Sequence, residues 1–590
     1  MIVPMKKVAI LVQSKEASGA IEKLRSLGVV HVEHQRPPEG RNITSIQDEL
    51  ALVKGAIRVL SEPEFLQQGL KSSRGPSDWK STARHIVDLD SRLDQLQEYS
   101  LTLKNKISRW EAWGDFDPEV LRSLRQKNVY IRLYQIPLKE LNNLPSAAIV
   151  KKISSIKEIV NCLVISREKL EVPFKEVALP QRGLQEMRSR FSKDSRTIKL
   201  IKEDIRKHTC YRKALIRTVD LLAQRQEFYE VLGGMGQSGE LMYLSGYIPY
   251  DAAAALLERA KKEKWGVAIN EPSPEDNVPT SIRNPRWVSI IGSVFKVMEI
   301  IPGYREVDIS LWFLIFLSVF FGMLIGDAAY GAIFFILTLL AERKWGHKLG
   351  DKSPFILFYL LSCCAIIWGA LSGTFFGQEW LSASVKPLIP ALRSDKNVQG
   401  LCFLLGAFHL SVAHLWRAVI KLPSRIALGE IGWISILWGG FLLAKMLVLG
   451  DAFPAFGKWF FIAGIILVIF FTSQSRNILK GIGAGLASLA LNLVNSFTDI
   501  VSYIRLFAVG LATVAVADAF NKMALEIGYN SILTGVATSL ILILGHALNI
   551  LLGPMSILVH GVRLNVLEFC NHAGVKWSGF AYRPLREKSR

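Results

Sequence analysis

Asp499-Ile-Val-Ser-Tyr-Ile-Arg-Leu-Phe-Ala-Val-Gly-Leu-Ala512 places an arginine, Arg505, inside a run that stays apolar to Ala517. The run is long enough to cross a bilayer, which takes about 20 apolar residues. A charge at the bilayer centre costs about 2.5–3.5 kcal/mol on insertion scales, so intramembrane cations mark ion pathways or counter-ions by default. The next apolar run holds a second arginine, Arg563, in Val559-His-Gly-Val-Arg-Leu-Asn-Val-Leu-Glu568. Two such residues on consecutive helices are the main clue to what the chain does.

Working outward, apolar runs cover 309–325, 327–340, 355–376, 399–419, 430–449, 457–472, 484–520 and 531–568. They predict an α-helical polytopic membrane domain of about eight transmembrane helices over 301–570. The first two runs are short and meet at Gly326-Asp327, as a tight hairpin would. The last two exceed one bilayer thickness, so they are expected to be long and tilted. A tail, 571–590, follows. With the N-terminal part inside, fourteen basic residues fall on the cytoplasmic side: Arg343, Lys344, Lys348, Lys352, Arg417, Lys421, Arg425, Arg476, Lys480, Lys576, Arg583, Arg586, Lys588 and Arg590. Five fall outside: Lys386, Arg393, Lys396, Lys458 and Lys522. That asymmetry puts both termini in the cytoplasm. It also accounts for the net charge of +20 without invoking nucleic acid.

Residues 1–300 are rich in Lys, Arg, Glu and Gln and read as a cytoplasmic arm. Val8-Ala-Ile-Leu-Val12 is too short for a signal-peptide core. Lys6–Glu33 reads as strand, helix, strand, with no glycine-rich turn for a nucleotide. Ile43, Ile46, Leu50, Val53, Ile57 and Leu60 are spaced 3, 4, 3, 4, 3. Ile86, Leu89, Leu93, Leu96, Leu103, Ile107 and Trp110 continue the pattern, interrupted at Ser100. A third run covers 184–230, with Ile198, Ile201 and Ile205 on one stripe. Apolar residues at this spacing favour helices wound in pairs. The second and third runs flank an α/β segment near 125–180 that contains Val129–Tyr134 and Glu158–Ile165. The economical picture is a coiled-coil hairpin with an α/β head, followed by a strand–helix piece over Leu241–Trp265.

No GxxxxGK[ST], HExxH or GxSxG occurs, so the chain carries no P-loop and is not expected to be an enzyme by itself. Its six cysteines form no CxxC pair, so neither a disulfide framework nor a metal site is expected from them, and no cofactor is implied.

Thr498, Ser502, Arg505, Val509, Ala512 and Val516 share one helix face, small apart from the arginine. Arginine keeps its proton where a buried lysine loses it. A permanent cation there attracts a carboxylate and favours its ionised form. Asp499 and Asp518 are poorly placed along the helix, so the expected partner carboxylate lies on another polypeptide. The alternative is an internal lock with Asp327 or Glu568. His546, Asn549, Ser556, His560 and Asn565 make the last run polar, as a hydrated half-channel or interhelical hydrogen bonding would require. His409 and His414 read as packing residues, Glu379 and Asp451 as loop ends, and Asp327 as a helix cap.

These residues resemble a known family. Asp499–Ala512 is similar to the penultimate-helix signature of the V-type/A-type ATPase membrane stator subunit, called subunit a or subunit I. Leu544-Gly-His-Ala-Leu-Asn-Ile550 and His560–Phe569 are similar to its final helix, and Phe320–Gly331 to its first membrane hairpin. Asn277-Val-Pro-Thr280, Arg283-Asn284 and Pro302-Gly-Tyr-Arg-Glu306 resemble its linker. The chain has His560 where many prokaryotic members have Gln, and Gly553 where eukaryotic members have Glu. The resemblance implies a stator that couples H⁺ or Na⁺ translocation to ATP hydrolysis or synthesis. Arg505 and Arg563 would face the carboxylates of a proteolipid rotor ring. Ser502, His546, Asn549, His560 and Glu568 would serve ion translocation. The implied partners are that ring, peripheral stalk subunits, a central rotor stalk subunit and the lipid bilayer of a prokaryotic cell. A self-contained secondary anion transporter is the alternative; it predicts inverted repeats, and none is evident.

Overall fold

A computed structural model describes residues 1–65, 76–143, 148–156, 158–168, 172–377, 387–471 and 478–587. Glu379, Lys386, Arg476, Lys588 and Arg590 lie outside the described residues. The chain divides into two compact units: residues 10–26, 32–245 and 586–590 in one, and residues 1–9, 27–31 and 246–585 in the other.

The predicted strand–helix–strand unit is present as β1 (Met5–Gln13), α1 (Ala17–Leu27) and β2 (His31–Glu33). The three heptad runs are all helical. The first is α2 (Arg41–Leu60) and the second is α3 (Trp79–Glu111). The third divides into α5 (Leu184–His208) and α6 (Arg212–Gly234) at a 3-10 turn over Thr209–Tyr211; α4 (Pro118–Gln126) precedes them. Asp78 and Asp117 cap α3 and α4 by accepting from backbone amides two residues on. One core joins Ile46, Leu50, Val53, Ile86, Leu93, Ile201, Ile205, Leu215 and Leu222 from α2, α3, α5 and α6. Ser100 is buried within the α3 seam that it interrupts in sequence. Glu111 pairs with Arg188, and His85 with Asp204, so α3 and α5 run antiparallel.

Between them lies the predicted α/β segment. β3 (Tyr130–Pro137), β4 (Ile149–Ile156), β5 (Ile159–Ser166) and β6 (Glu176–Val177) form a sheet of order β4-β5-β3-β6, antiparallel at each pairing. Leu133 sits opposite Leu163 and Tyr134 opposite Cys162. Alternate residues of β3 and β5 therefore supply two apolar faces. β7 (Gly236–Ser238) and β8 (Leu241–Pro249) follow, then α7 (Ala253–Glu263) and β9 (Gly266–Asn270). β8 lies between β2 and β1, so the first two strands are not neighbours.

Short helices α8 (Arg286–Ser289) and α9 (Gly292–Met298) precede the apolar helices. These are α10 (Ser310–Ile325), α11 (Ala328–Trp345), α12 (Ser353–Ser372), α13 (Asp395–Lys421), α14 (Ile426–Leu449), α15 (Gly457–Phe471), α16 (Ile478–Ser502), α17 (Ile504–Ile527) and α18 (Ile532–Ser556). The chain continues through π-helical turns at Ile557–Gly561 and Leu564–Phe569 into α19 (Cys570–Ala573). Among the described residues five helices are long and apolar enough to cross a membrane, or six if the bent pair α10–α11 is one span. That pair bends by 119°. Gly326 ends α10 at φ +68°, and Asp327 caps α11 by accepting from the Ala329 and Tyr330 amides at 2.8 and 3.1 Å. Asp327 is therefore the cap expected of it. It also accepts from the Gly377 amide at 2.9 Å. Pro554 stands inside α18, just before the π-helical turns. A proline there removes one i→i−4 hydrogen bond, and local π adjustments are one way a membrane helix re-satisfies the freed backbone groups.

Candidate functional site

α16 ends at Ser502 and α17 begins at Ile504, so the predicted helix is interrupted only at Tyr503, two residues before Arg505, within one long apolar span, Leu489–Ile527. Tyr503 at the break is fully buried and bonds to His409 Nδ1 at 2.8 Å. This fixes the chain where the arginine emerges. Arg505 donates to Ser502 Oγ and, at 3.1 Å, to Glu568 Oε1. Ser502 Oγ also donates to Glu568 Oε1 at 2.8 Å.

The expectation that no carboxylate of this chain is placed to meet Arg505 is thus corrected, and the internal pair with Glu568, the alternative given above, is present. Glu568 lies at the depth of Arg505, brought there by the helix that follows. A reading along one helix face sees only Asp499 and Asp518. Glu568 is 63 residues away, and the π-helical turns reset which face it shares. Arg563 Nε stands 3.9 Å from the same Oε1, and its side chain is 53% exposed. Arg505 is 26% exposed and Glu568 only 5%. Arg563 is therefore not buried by this chain. Among the described residues, Arg505 Nη1 and Glu568 Oε2 are buried without a hydrogen-bond partner. His560 is half-buried, one turn before Arg563.

Two polar clusters flank this centre. Beyond Arg505 along α17, Asn549 bonds to the Thr513 carbonyl at 3.0 Å and to Tyr330 Oη at 3.2 Å. His546 Nδ1 meets the same hydroxyl at 2.7 Å. Before Arg505, on α16, Asp499 Oδ2 meets His572 Nε2 at 3.1 Å. His572 Nδ1 meets His414 Nε2 at 2.9 Å, and His414 Nδ1 meets Glu430 at 2.7 Å. Arg417 and Lys421 complete the set, at 3.1 and 2.5 Å from Glu430. The second cluster lines a cavity of about 700 Å³ that Asn492, Asn495 and Thr498 also border. Thr513 lies eight residues after Arg505 and Asp499 six before. At 1.5 Å rise per residue the clusters stand about 12 and 9 Å from it along the axis.

His546, Asn549, Ser502 and Glu568 are thus brought to the arginine or to its flanking clusters. Asp499, His414, Glu430, His572 and Tyr330 were missed. Glu430 carried a signal, since a carboxylate opening an apolar run is by default a candidate functional residue. His414 is not a simple packing residue. His409 is closer to one: its ring stacks on Phe316 and Phe569, at centroid distances of 3.7 and 4.4 Å.

Comparison with known proteins bears on this arrangement. No family model matches. V-type ATP synthase subunit I of Borreliella burgdorferi is 32% identical, with all of both chains covered. The chain belongs to the V-type/A-type ATP synthase subunit I family. V-type ATP synthase subunit I 1 of Treponema pallidum is 29% identical, again with both chains fully covered. A-type ATP synthase subunit I of Methanocaldococcus jannaschii is 25% identical over 84% of this chain and 81% of its own. Among solved structures, the cytoplasmic N-terminal domain of a subunit I, homolog of subunit a, of V-ATPase covers 45% of this chain and 99% of that one. Its TM-score of 0.23 and 14% identity are too low to speak to the fold. Membership of the subunit I family makes the chain one subunit of a rotary complex, and its long apolar helices make it a multi-pass membrane protein.

Proposed function

We propose that this chain is the ion-conducting stator of its rotary complex, with Arg505 facing the carboxylates of a rotor ring as they pass. The observation that carries the reading is the placement of Arg505 between two separate polar clusters. One, around His546, Asn549 and Tyr330, serves as the half-channel on one side of the membrane. The other, around Asp499, His572, His414 and Glu430, serves as the half-channel on the cytoplasmic side. A fixed guanidinium between them repels a cation trying to cross directly, and it draws the ion off a ring carboxylate by stabilising the ionised form. Arg563, half-exposed, offers a second cation to the same acids. Glu568 holds Arg505 in place through one oxygen, and the guanidinium keeps a quarter of its side chain open towards a passing carboxylate. Both termini are cytoplasmic in this reading, the eight apolar segments all enter the membrane, and the N-terminal helices bind peripheral stalks near the central rotor.

The test is Arg505→Lys and Arg505→Ala in the assembled complex, reading ion pumping against ATP turnover. Coupled pumping is expected to collapse in both. Pumping at wild-type rates in either variant removes the assignment. The Glu568 pair also favours a second reading, in which Arg505 only locks two helices together. A lock predicts that pumping per assembled complex is unchanged, with only the yield of complex reduced.

A further inference from the structure

We infer that His85, Asp204 and His208 form a binding site for a first-row divalent transition metal ion of the zinc class. Among the described residues these are the one group of three or more His, Cys, Asp or Glu side chains whose donor atoms converge, all within 4.8 Å of one another.

The fold brings them together for simple reasons. Asp204 and His208 are four residues apart on α5, so they share one face of the helix. His85 reaches them from α3, which runs antiparallel alongside. His85 Nε2 is 3.4 Å from Asp204 Oδ2, and His208 Nδ1 is 3.8 Å from Asp204 Oδ1. The two imidazoles approach edge to face, with ring centroids 5.4 Å apart. Nitrogen and oxygen ligands bind zinc at about 2.0–2.2 Å, which sets neighbouring donors about 3.3 Å apart in a tetrahedral site. The observed spacings are already close to that. His85 is 51% exposed and Asp204 40%, so small rotamer turns close the remainder.

The donor set selects the ion class. Imidazole suits zinc, copper, nickel and iron, whereas calcium and magnesium prefer all-oxygen sites. Three protein ligands leave a fourth position for water, and the exposed face gives a route of entry. His208 Nδ1 also lies 2.8 Å from the Asp204 carbonyl, a contact it exchanges for the ion on binding. An ion here would clamp α3 to α5 at the end away from the Glu111–Arg188 pair.

The site has no share in the ion path, so its test stands apart from that of Arg505. The full chain, without an affinity tag and in detergent, is titrated with Co²⁺ by visible absorption and with Zn²⁺ by equilibrium dialysis. His85→Asn, Asp204→Asn and His208→Gln are run beside it, with circular dichroism checking that each remains folded. The wild type is expected to bind one more equivalent of Zn²⁺ than any of the three variants, and to show Co²⁺ ligand-field bands that Zn²⁺ displaces. In each variant the dissociation constant for that equivalent rises roughly tenfold or more, about 1.4 kcal/mol or more. Equal Zn²⁺ stoichiometry and affinity in the wild type and the folded variants overturns the assignment.

Discussion

At the scale of single residues, the arginines are legible in the sequence because a charge in an apolar run is expensive wherever it goes. Their partners are legible only in part: Glu568 stands among the candidate carboxylates, but nothing in the sequence ranks it first. Glu568 meets Arg505 across 63 residues and His572 meets His414 across 158, and no periodicity carries that information. The Arg505–Glu568 pair has an energetic consequence. Removing one partner of a buried pair costs about 3–5 kcal/mol, because the other charge stays behind unpaired. Arg505 keeps a quarter of its side chain exposed, which lowers the expected loss for Glu568→Gln to about 2 kcal/mol. Thermal unfolding in micelles of Glu568→Gln, Arg505→Gln and the double variant measures it. The double variant is expected to be no worse than the worse single one, and strict additivity would mean the two side chains do not interact. The missed cluster yields a functional expectation. Glu430→Gln leaves Arg417 and Lys421 facing a neutral amide beside His414. Pumping by the assembled complex should slow several-fold, and a rate equal to wild type would exclude this cluster from the ion path.

At the scale of elements, hydrophobic spacing located α2, α3, α5 and every apolar helix, since burial of one stripe dictates the pattern. It did not locate the break at Tyr503 or the π-helical turns after Pro554. Those depend on what packs against the backbone, and apolar residues continue through both. Small residues set how closely these helices approach. A Cβ on Gly369 would fall against the backbone at the start of α11, with Ala328 Cα and the Asp327 carbonyl carbon both at 2.6 Å. Backbone cannot swing aside as a side chain can, so α12 would have to shift. Overpacking of this kind costs about 1–3 kcal/mol. Gly369→Ala should therefore lower the unfolding midpoint in micelles clearly. Gly400→Ala makes a control, because its Cβ would meet only Leu449 Cδ1 at an ordinary 3.5 Å. Equal midpoints for the two variants would show that α12 tolerates displacement at this crossing.

At the scale of the whole molecule, the sequence divides near residue 300 by composition, yet the membrane unit also contains residues 1–9 and 27–31 and runs on to 585. Composition marks where apolar helices begin; it does not show which polar segments return to pack beneath them. The C-terminal tail is one of these. Thr280 donates its amide to the Phe580 carbonyl, Tyr582 returns an amide to the Thr280 carbonyl, and Leu585 donates to the Val30 carbonyl. Glu306 fastens the start of that tail. Burial pushes its carboxyl up, but bonds from the Gly303 amide, the Ser578 hydroxyl and the Lys576 and Trp577 amides outweigh this and hold it below the usual 4.5. Gly303 N, Ser578 Oγ and Trp577 N lie 2.8, 3.0 and 3.1 Å from it. A carboxyl depressed by folding contributes stability that is present above its unfolded value and lost as pH falls through the folded one. The tail should therefore stay anchored at neutral pH and loosen once the medium is more acidic than about pH 4.5. Hydrogen exchange at the Trp577 and Gly303 amides reads this directly. Protection, corrected for the intrinsic exchange rate, should fall on acidification in the wild type. In Glu306→Gln it should be low and flat across the same range, because an amide oxygen accepts the same bonds more weakly and does not titrate there. Protection that falls equally in both proteins would assign the loosening to other carboxyls and leave Glu306 a passive neighbour of the tail.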